Sequence, residues 1–104
     1  MSADKPGTSA PLRDLDPVIH APKRLAAMAV LVGADSADFG FLREHLGVSD
    51  SDLSKQMAAL EAAGYIAIRK HGRGRGASTT YRATKAGRDA YARHRAALRS
   101  LLGS

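Results

Sequence analysis

The fold is decided by one stretch of the sequence, Phe39 to Leu98, which reads FGFLREHLGVSDSDLSKQMAALEAAGYIAIRKHGRGRGASTTYRATKAGRDAYARHRAAL. Apolar residues recur first at helical spacing, then with the alternation of a strand, and finally at helical spacing again. The predicted order is helix, tight turn, helix, β-hairpin and closing helix. We therefore expect an α+β fold that is mainly helical, with a small antiparallel sheet.

Glycines and a serine place the ends of the first two helices in this stretch. Gly47 ends the first in the left-handed conformation, and Gly64 ends the second in the same way. Ser49 is expected to cap the second helix, with Asp52 three residues later as a variant of the capping box. The residues expected to face inward are Leu42, Leu46, Leu53, Met57 and Leu60.

A hairpin and a long helix complete the stretch. The first strand is predicted over Tyr65 to Lys70, the turn over residues 71–78 and the returning strand over Thr79 to Ala83. Thr84 then caps a helix over residues 85–102. One face of this helix alternates spacings of four and three, which is typical of a helix packed lengthwise on another helix. The residues of this seam are Gly87, Tyr91, His94, Leu98 and Leu101.

The chain before this stretch adds one more helix. Residues 1–15 mix Pro, Gly, Ser and charge without periodicity, and we expect them to form a flexible arm. Asp16 and Pro17 form a cap and first-position pair that opens a short turn. Pro22 cannot lie inside a helix, so the main first helix begins there, and Gly33 should end it.

Four segments of the sequence together carry a family resemblance. They are DPVIHAPKRLA from Asp16, FGFLREHLGVS from Phe39, LSKQMAALEAAGYI from Leu53 and TTYRATKAG from Thr79. In this order and spacing, residues 16–102 resemble the small winged helix-turn-helix transcriptional regulators related to MarR and ArsR proteins. The resemblance implies that residues 16–104 form a winged-helix DNA-binding domain with a C-terminal dimerisation helix. Because three-stranded winged helices begin their sheet at this point, it also implies that Phe39 anchors a minimal strand. It also implies a sequence-specific regulator, typically a repressor, that binds a near-palindromic double-stranded DNA operator as a homodimer.

The net charge of +6 is unevenly distributed along the 104 residues. Residues 1–68 carry six Lys and Arg against nine Asp and Glu, whereas residues 69–104 carry ten against one. Because the excess of positive charge begins at the predicted hairpin, it favours a polyanionic partner such as DNA. A single domain of this size has a modest core and gains from burying surface against a second copy.

The helix over residues 50–63 is the predicted recognition helix. It enters the major groove, while the wing of residues 72–78 contacts phosphates. Short polar side chains on its outward face reach base edges or phosphates, and two arginines among the wing glycines follow the backbone. Asp50 and Asp52 suit the positive end of the helix but would weaken binding beside a phosphate. The predicted DNA-binding residues are Ser51, Ser54, Lys55, Gln56, Ala59, Arg69, Arg73, Arg75 and Thr79.

The helices over residues 22–32 and 85–102 are predicted to build the dimer. His94 in that seam is expected to be an interface residue or a partly buried side chain, and in either place it would lend pH sensitivity. A regulatory signal, from an unknown small-molecule or protein effector, would act at this interface or through a partner, because no separate sensor domain is expected. The predicted interface residues are Leu25, Tyr91, His94, Leu98 and Leu101.

Other kinds of site find no support in the sequence. Its histidines fall in separate elements without a shared short spacing, and no cysteine accompanies them, so no metal site is expected. No catalytic arrangement is recognisable, so we expect neither an enzyme nor a cofactor. No apolar run approaches the ~18 residues that span a membrane. The first residues lack the layout of a signal peptide, and a cytoplasmic location away from any membrane is expected.

Two other classes of protein remain open at this point. One is a winged-helix protein-interaction module, since such folds also dock proteins. The other is a non-specific or RNA-binding basic protein. The tyrosines follow strand and helix periodicity rather than forming a stacking platform, which weakens the RNA-binding alternative.

Overall fold

The computed structural model describes residues 12–103, in which the helices and strands follow one another in the predicted order. The elements are α1 Pro17–His20, α2 Pro22–Val32, β1 Ala37–Asp38, α3 Phe39–Leu46, α4 Asp50–Ala62, β2 Ile66–His71, β3 Ser78–Ala83 and α5 Lys85–Leu102. The mainly helical α+β class with a small antiparallel sheet is confirmed.

The three strands form one antiparallel sheet in the order β1-β3-β2. The register of the hairpin runs from Ile66 opposite Ala83 to His71 opposite Ser78. Because successive side chains of a strand point to opposite faces, the residues in phase with Ile66 share the face that packs on the helices. We call the other side the outer sheet face; on the hairpin it comprises Ala67, Arg69, His71, Ser78, Thr80 and Arg82.

The core lies between the sheet and the helices. Its largest fully buried apolar side chains come from α1 through α4, and each contributes about 1.5–3 kcal/mol of transfer free energy relative to full exposure. They are Ile19, Met28, Leu31, Leu42, Leu53, Met57 and Leu60. The last three lie on α4, so the predicted inward face of this helix is confirmed and its opposite face is left to solvent.

The predicted helix ends are largely confirmed. Gly47 ends α3 with φ 67°, and Gly64 follows α4 with φ 82°, both in the left-handed region. Gly33 follows the last residue of α2, although its φ of −87° lies outside that region. The side chain of Ser49 caps α4, and that of Thr84 caps α5.

Two predicted details are wrong. Phe39 does not anchor a strand: the strand is Ala37–Asp38, and Phe39 begins α3. The Asp38 carboxylate caps this helix by accepting a hydrogen bond of 2.7 Å from the Phe41 N–H. Asp52 does not complete a capping box, because its carboxylate is paired with Lys23 of α2.

Helix α5 is seated against the start of the hairpin by a close backbone approach at Gly87. A Cβ atom on Gly87 would lie 2.0 Å from the Tyr65 carbonyl oxygen. The same oxygen accepts a hydrogen bond of 3.0 Å from the Thr84 N–H, and the Thr84 hydroxyl donates to the Gly64 carbonyl at 2.7 Å. The sequence places Gly87 in a helical seam, but the reason for glycine there is this contact with a strand.

A polar cluster of Asp16, His20, Tyr65 and His94 lies under α5. Nδ1 of His94 accepts a hydrogen bond of 2.9 Å from the Asp16 N–H, and its Nε2 lies 3.2 Å from Nδ1 of His20. The Asp16 carboxylate caps α1 through the N–H groups of Val18 and Ile19, and it accepts a hydrogen bond from the Tyr65 hydroxyl. The chain before α1 is thereby tied to the closing helix.

The charges of this cluster follow from these contacts. Burial, reinforced by His20, lowers the pKa of His94 against the opposing effect of Asp16. Burial of the Asp16 carboxyl acts to raise its pKa. The hydrogen bonds from Tyr65, Ile19 and Val18 outweigh that effect and leave the pKa lowered. His94 is therefore neutral and Asp16 ionised at neutral pH.

The position of His94 corrects the predicted dimer interface. His94 is 0% exposed within a single chain, so it has no surface to offer a second copy. Its place in the apolar repeat reflects packing on the N-terminal part of its own chain.

The predicted arm over residues 1–15 falls mostly on residues 1–11, which lie outside the described residues, and residues 12–14 are helical.

Candidate nucleic-acid interface

The outward face of α4 carries three of the predicted base and phosphate contacts. Ser51, Ser54 and Lys55 are exposed, on the side of the helix opposite its buried leucines and methionine. Ala59 is half-buried, and its neighbour Ala58 is exposed. Side chains this short allow close approach to base edges in a major groove, while the lysine reaches further.

Gln56 departs from its predicted role as a base-reading side chain. Its Oε1 accepts a hydrogen bond of 2.8 Å from the Arg24 guanidinium, and its Nε2 donates to the Asp52 carboxylate at 2.9 Å. Both ends of the amide are therefore engaged, and Arg24 also donates to the Val18 carbonyl at 2.6 Å. Gln56 therefore links α4 to α2, and its amide is not free to contact a base.

The two acids of the first turn of α4 are neutralised by neighbouring helices. Lys23 forms an ion pair with Asp52, and the hydrogen bonds from Lys23 and Gln56 lower the pKa of that carboxyl. Arg43 of α3 pairs with Asp50 at 3.0 Å, and this hydrogen bond raises the pKa of the guanidinium. The acids therefore present less negative charge to a phosphate than the sequence suggests.

The wing extends beyond the sheet and ends in a short 3-10 turn over Gly74–Gly76. Arg73 and Arg75 are exposed. Gly72 has φ 73°, and a Cβ there would lie 3.1 Å from the Gly76 carbonyl oxygen, so the turn needs glycine at this position. Both arginines therefore lie at an exposed, glycine-rich hairpin tip.

The other two predicted hairpin contacts lie on opposite faces. Arg69 is opposite Thr80 on the outer sheet face, whereas Thr79 is opposite Lys70 on the face shared with the core. Lys70, which the sequence reasoning missed, is exposed and in phase with the buried Ile66. It therefore lies on the same side of the sheet as α4. Strand periodicity alone could have indicated it.

The remaining members of the predicted dimer interface are not fully buried within one chain, although Leu25 and Tyr91 pack against its core. Leu25, Tyr91 and Leu98 are half-buried. Leu101 is 40% exposed and Leu102, which the prediction did not include, is 76% exposed. The end of α5 thus leaves apolar surface uncovered within one chain.

These elements define the class of the protein. A helix with an outward polar face sits beside a basic hairpin, and a second helix crosses behind it, which is the arrangement of a winged helix-turn-helix that binds duplex DNA. The described residues contain no group of three or more His, Cys, Asp or Glu that could hold a metal ion. None of their helices is long and apolar enough to cross a membrane.

Comparison with known proteins assigns the family. The sequence model of the winged helix DNA-binding domain matches residues 23–102, and the chain belongs to this family. The family is defined by DNA binding and not by catalysis, in agreement with the prediction that the protein is not an enzyme.

One solved structure with a similar fold is that of the transcriptional regulator homologue protein from Pyrococcus horikoshii OT3. Its TM-score is 0.82, with 21% sequence identity over 90% of this chain and 95% of that chain. No curated protein matches the sequence.

Proposed function

We propose that this winged-helix protein is a transcriptional regulator that binds a specific duplex DNA sequence as a homodimer in the cytoplasm. The observation that carries the proposal is the outward face of α4, where Ser51, Ser54 and Lys55 are exposed while both acids of the first turn are paired. The similar fold of a protein described as a transcriptional regulator homologue supports the same function.

In this mechanism α4 lies in the major groove. Ser51 and Ser54 contact base edges, and Lys55 contacts guanine or a phosphate. Arg73 and Arg75 at the wing tip follow the neighbouring phosphates, and Lys70 adds a contact from the side of the sheet that faces α4. The resemblance to MarR and ArsR regulators favours a repressor that blocks a promoter.

The homodimer would bury the apolar end of α5. Leu98, Leu101 and Leu102 offer surface that one chain leaves open. A two-fold dimer presents two copies of α4 about 34 Å apart, one turn of DNA, and therefore requires a near-palindromic site.

The test is selection of bound fragments from genomic DNA, followed by affinity measurements on the selected site, on a scrambled duplex and on structured RNA at several salt concentrations. We expect the selected duplex to bind at least about tenfold more tightly than either competitor, because each base contact contributes about 1–3 kcal/mol of discrimination. If the selected duplex, the scrambled duplex and the RNA all bind with equal affinity, the result contradicts the proposal and favours a non-specific polyanion binder.

Two serine variants show which surface reads the sequence. Ser54→Ala should change the preference among related sites, whereas Ser100→Ala, an exposed serine of α5, serves as the matched control and should change nothing. If Ser54→Ala weakens cognate and random duplex equally, this serine only positions the backbone.

A further inference from the structure

An open cleft of about 610 Å³ lies on the outer sheet face, away from α4. Arg69, His71 and Arg82 line it from the outer sheet face, and Ile68 and Tyr81, whose strand positions belong to the core face, also border it. Asp35 and Ser36, from the loop before β1, close one end. The volume falls within the range of small-molecule sites, about 300–1,000 Å³.

The two arginines are placed to converge on one ligand. Arg69 is opposite Thr80, and Arg82 lies two residues further along the same strand, so the arginines are diagonal neighbours on one face, about 7 Å apart at their bases. Among residues 12–103, neither guanidinium forms an ion pair with an acid. Like charges in this position repel each other unless an anion lies between them.

The proposed DNA contacts do not account for both of these charges. Arg82 is four residues from Ser78, where β3 leaves the wing, which places it about 13 Å back from the wing along the strand. It is therefore remote from the surface that would follow the phosphates. Its exposed positive charge and the cleft around it need another explanation.

We infer that this cleft binds a small organic anion, one that carries a carboxylate or phosphate group together with a hydroxyl or amino group. Arg69 and Arg82 hold the anionic group, and the hydroxyl of Thr80 donates to it. This hydroxyl lies 3.1 Å from Nε2 of His71 and is held in place by that contact. The Asp35 carboxylate accepts a hydrogen bond from the hydroxyl or amino group and disfavours ligands that are anionic at both ends.

Binding would also couple to DNA, a consequence that rests on the proposed function. The hairpin that forms the cleft is the one that carries the wing, so a bound anion adds negative charge to the element that follows the phosphates. We expect a bound ligand to lower the affinity for duplex DNA. The cleft is thus a place where a small-molecule effector would act without touching the dimer interface.

The experiment uses the full chain without DNA and two hydroxylated probes, malate for the carboxylate and glycerol 3-phosphate for the phosphate. Each is titrated against the ¹⁵N-labelled protein, with sodium chloride at equal ionic strength as the reference. We expect at least one probe to shift the amide signals of Ala67, Arg69, Thr80 and Arg82 in a saturable way. The probe that binds identifies the anionic group that the cleft prefers.

Arg82→Ala should weaken that binding about tenfold or more, whereas Arg82→Lys should retain part of it. The matched control is Arg99→Ala, an exposed arginine of α5, which should bind as the wild type does. Because Arg82 is outside the proposed DNA contacts, the Ala variant should keep its affinity for DNA but lose the effect of the probe on it. Shifts no larger than those in chloride for both probes, or unchanged binding by a folded Arg82→Ala, would overturn the inference whether or not the protein binds DNA.

Discussion

Replacing Gly87 by alanine should destabilise the domain, although alanine is the better helix former. The added Cβ would lie 2.0 Å from the Tyr65 carbonyl oxygen and 2.8 Å from its carbon. To restore a separation of at least 3.0 Å, the start of α5 must move away from the strand by about 1 Å. That movement stretches the 3.0 Å hydrogen bond from the Thr84 N–H to the same oxygen beyond hydrogen-bond length.

The size of the effect follows from these contacts. A clash with backbone belongs at the upper end of overpacking costs, about 3 kcal/mol. The lost hydrogen bond costs about 1 kcal/mol, and alanine regains at most about 1 kcal/mol in helix propensity. The free energy of unfolding should therefore fall by about 3 kcal/mol. For a domain of this size that lowers Tm by about 12–24 °C.

The assay is thermal and urea unfolding followed by circular dichroism at one fixed protein concentration. The matched control is Gly40→Ala in the first turn of α3, where a Cβ would meet only the Asp38 carboxylate at an ordinary 3.6 Å. This variant should be as stable as the wild type or slightly more so. If Gly87→Ala melts within about 3 °C of the control, α5 does not approach the strand as closely as described, and the reasoning fails.

Three further changes test the wing, the polar cluster and the dimer. Changing Arg73 and Arg75 together to alanine should reduce the salt dependence of DNA binding by about 1.8 in log–log slope, since each phosphate contact contributes about 0.9. Thermal stability should fall as the pH drops below 6.5, because the unfolded chain then protonates His94, whereas the lowered pKa of His94 in the folded chain keeps it neutral. His94→Gln should flatten this dependence. Leu101→Asp should give a folded monomer by sedimentation, because this side chain is 40% exposed in one chain.

Each of these changes has a control on the same molecule. Arg95→Ala removes a charge from an exposed site of α5 and should leave the salt slope intact. His45→Gln removes an exposed histidine and should preserve the dependence of stability on pH. Ala96→Asp, on the exposed side of α5, should leave sedimentation unchanged. A wild type that sediments as a monomer at tens of micromolar, with no concentration dependence, would rule out the dimer.

Periodicity predicted most of the fold because it reports what each element buries. The spacing of Leu53, Met57 and Leu60 fixed the orientation of α4, and the capping residues fixed its ends. The same reasoning placed His94 correctly on the buried side of α5 but chose the wrong partner for it. A seam records that a face is covered, not which chain covers it, and here the segment around Asp16 covers this part of it.

The site was less predictable because side-chain pairing is invisible in one sequence. Asp52 and Lys23 are 29 residues apart, and Gln56 and Arg24 are 32 apart, so no local pattern joins them. Their contact depends on how α2 crosses α4, which is a property of the folded chain. The outward serines could be predicted because burial of their neighbours alone decides their exposure.

The pairing of α2 with α4 gives the proposed dimer a physical basis for reading DNA. Leu25 of α2 lies in the predicted interface, and the two residues before it, Lys23 and Arg24, hold the first turns of α4. A dimer reads a palindrome only if both recognition helices keep a fixed distance and angle from the two-fold axis. Because Gln56 is hydrogen-bonded to Arg24, it is not free to contact a base, but it holds α4 against α2, the helix that would contact the second copy of the chain. Discrimination then depends on the geometry of the pair of helices as well as on the few side chains that touch bases.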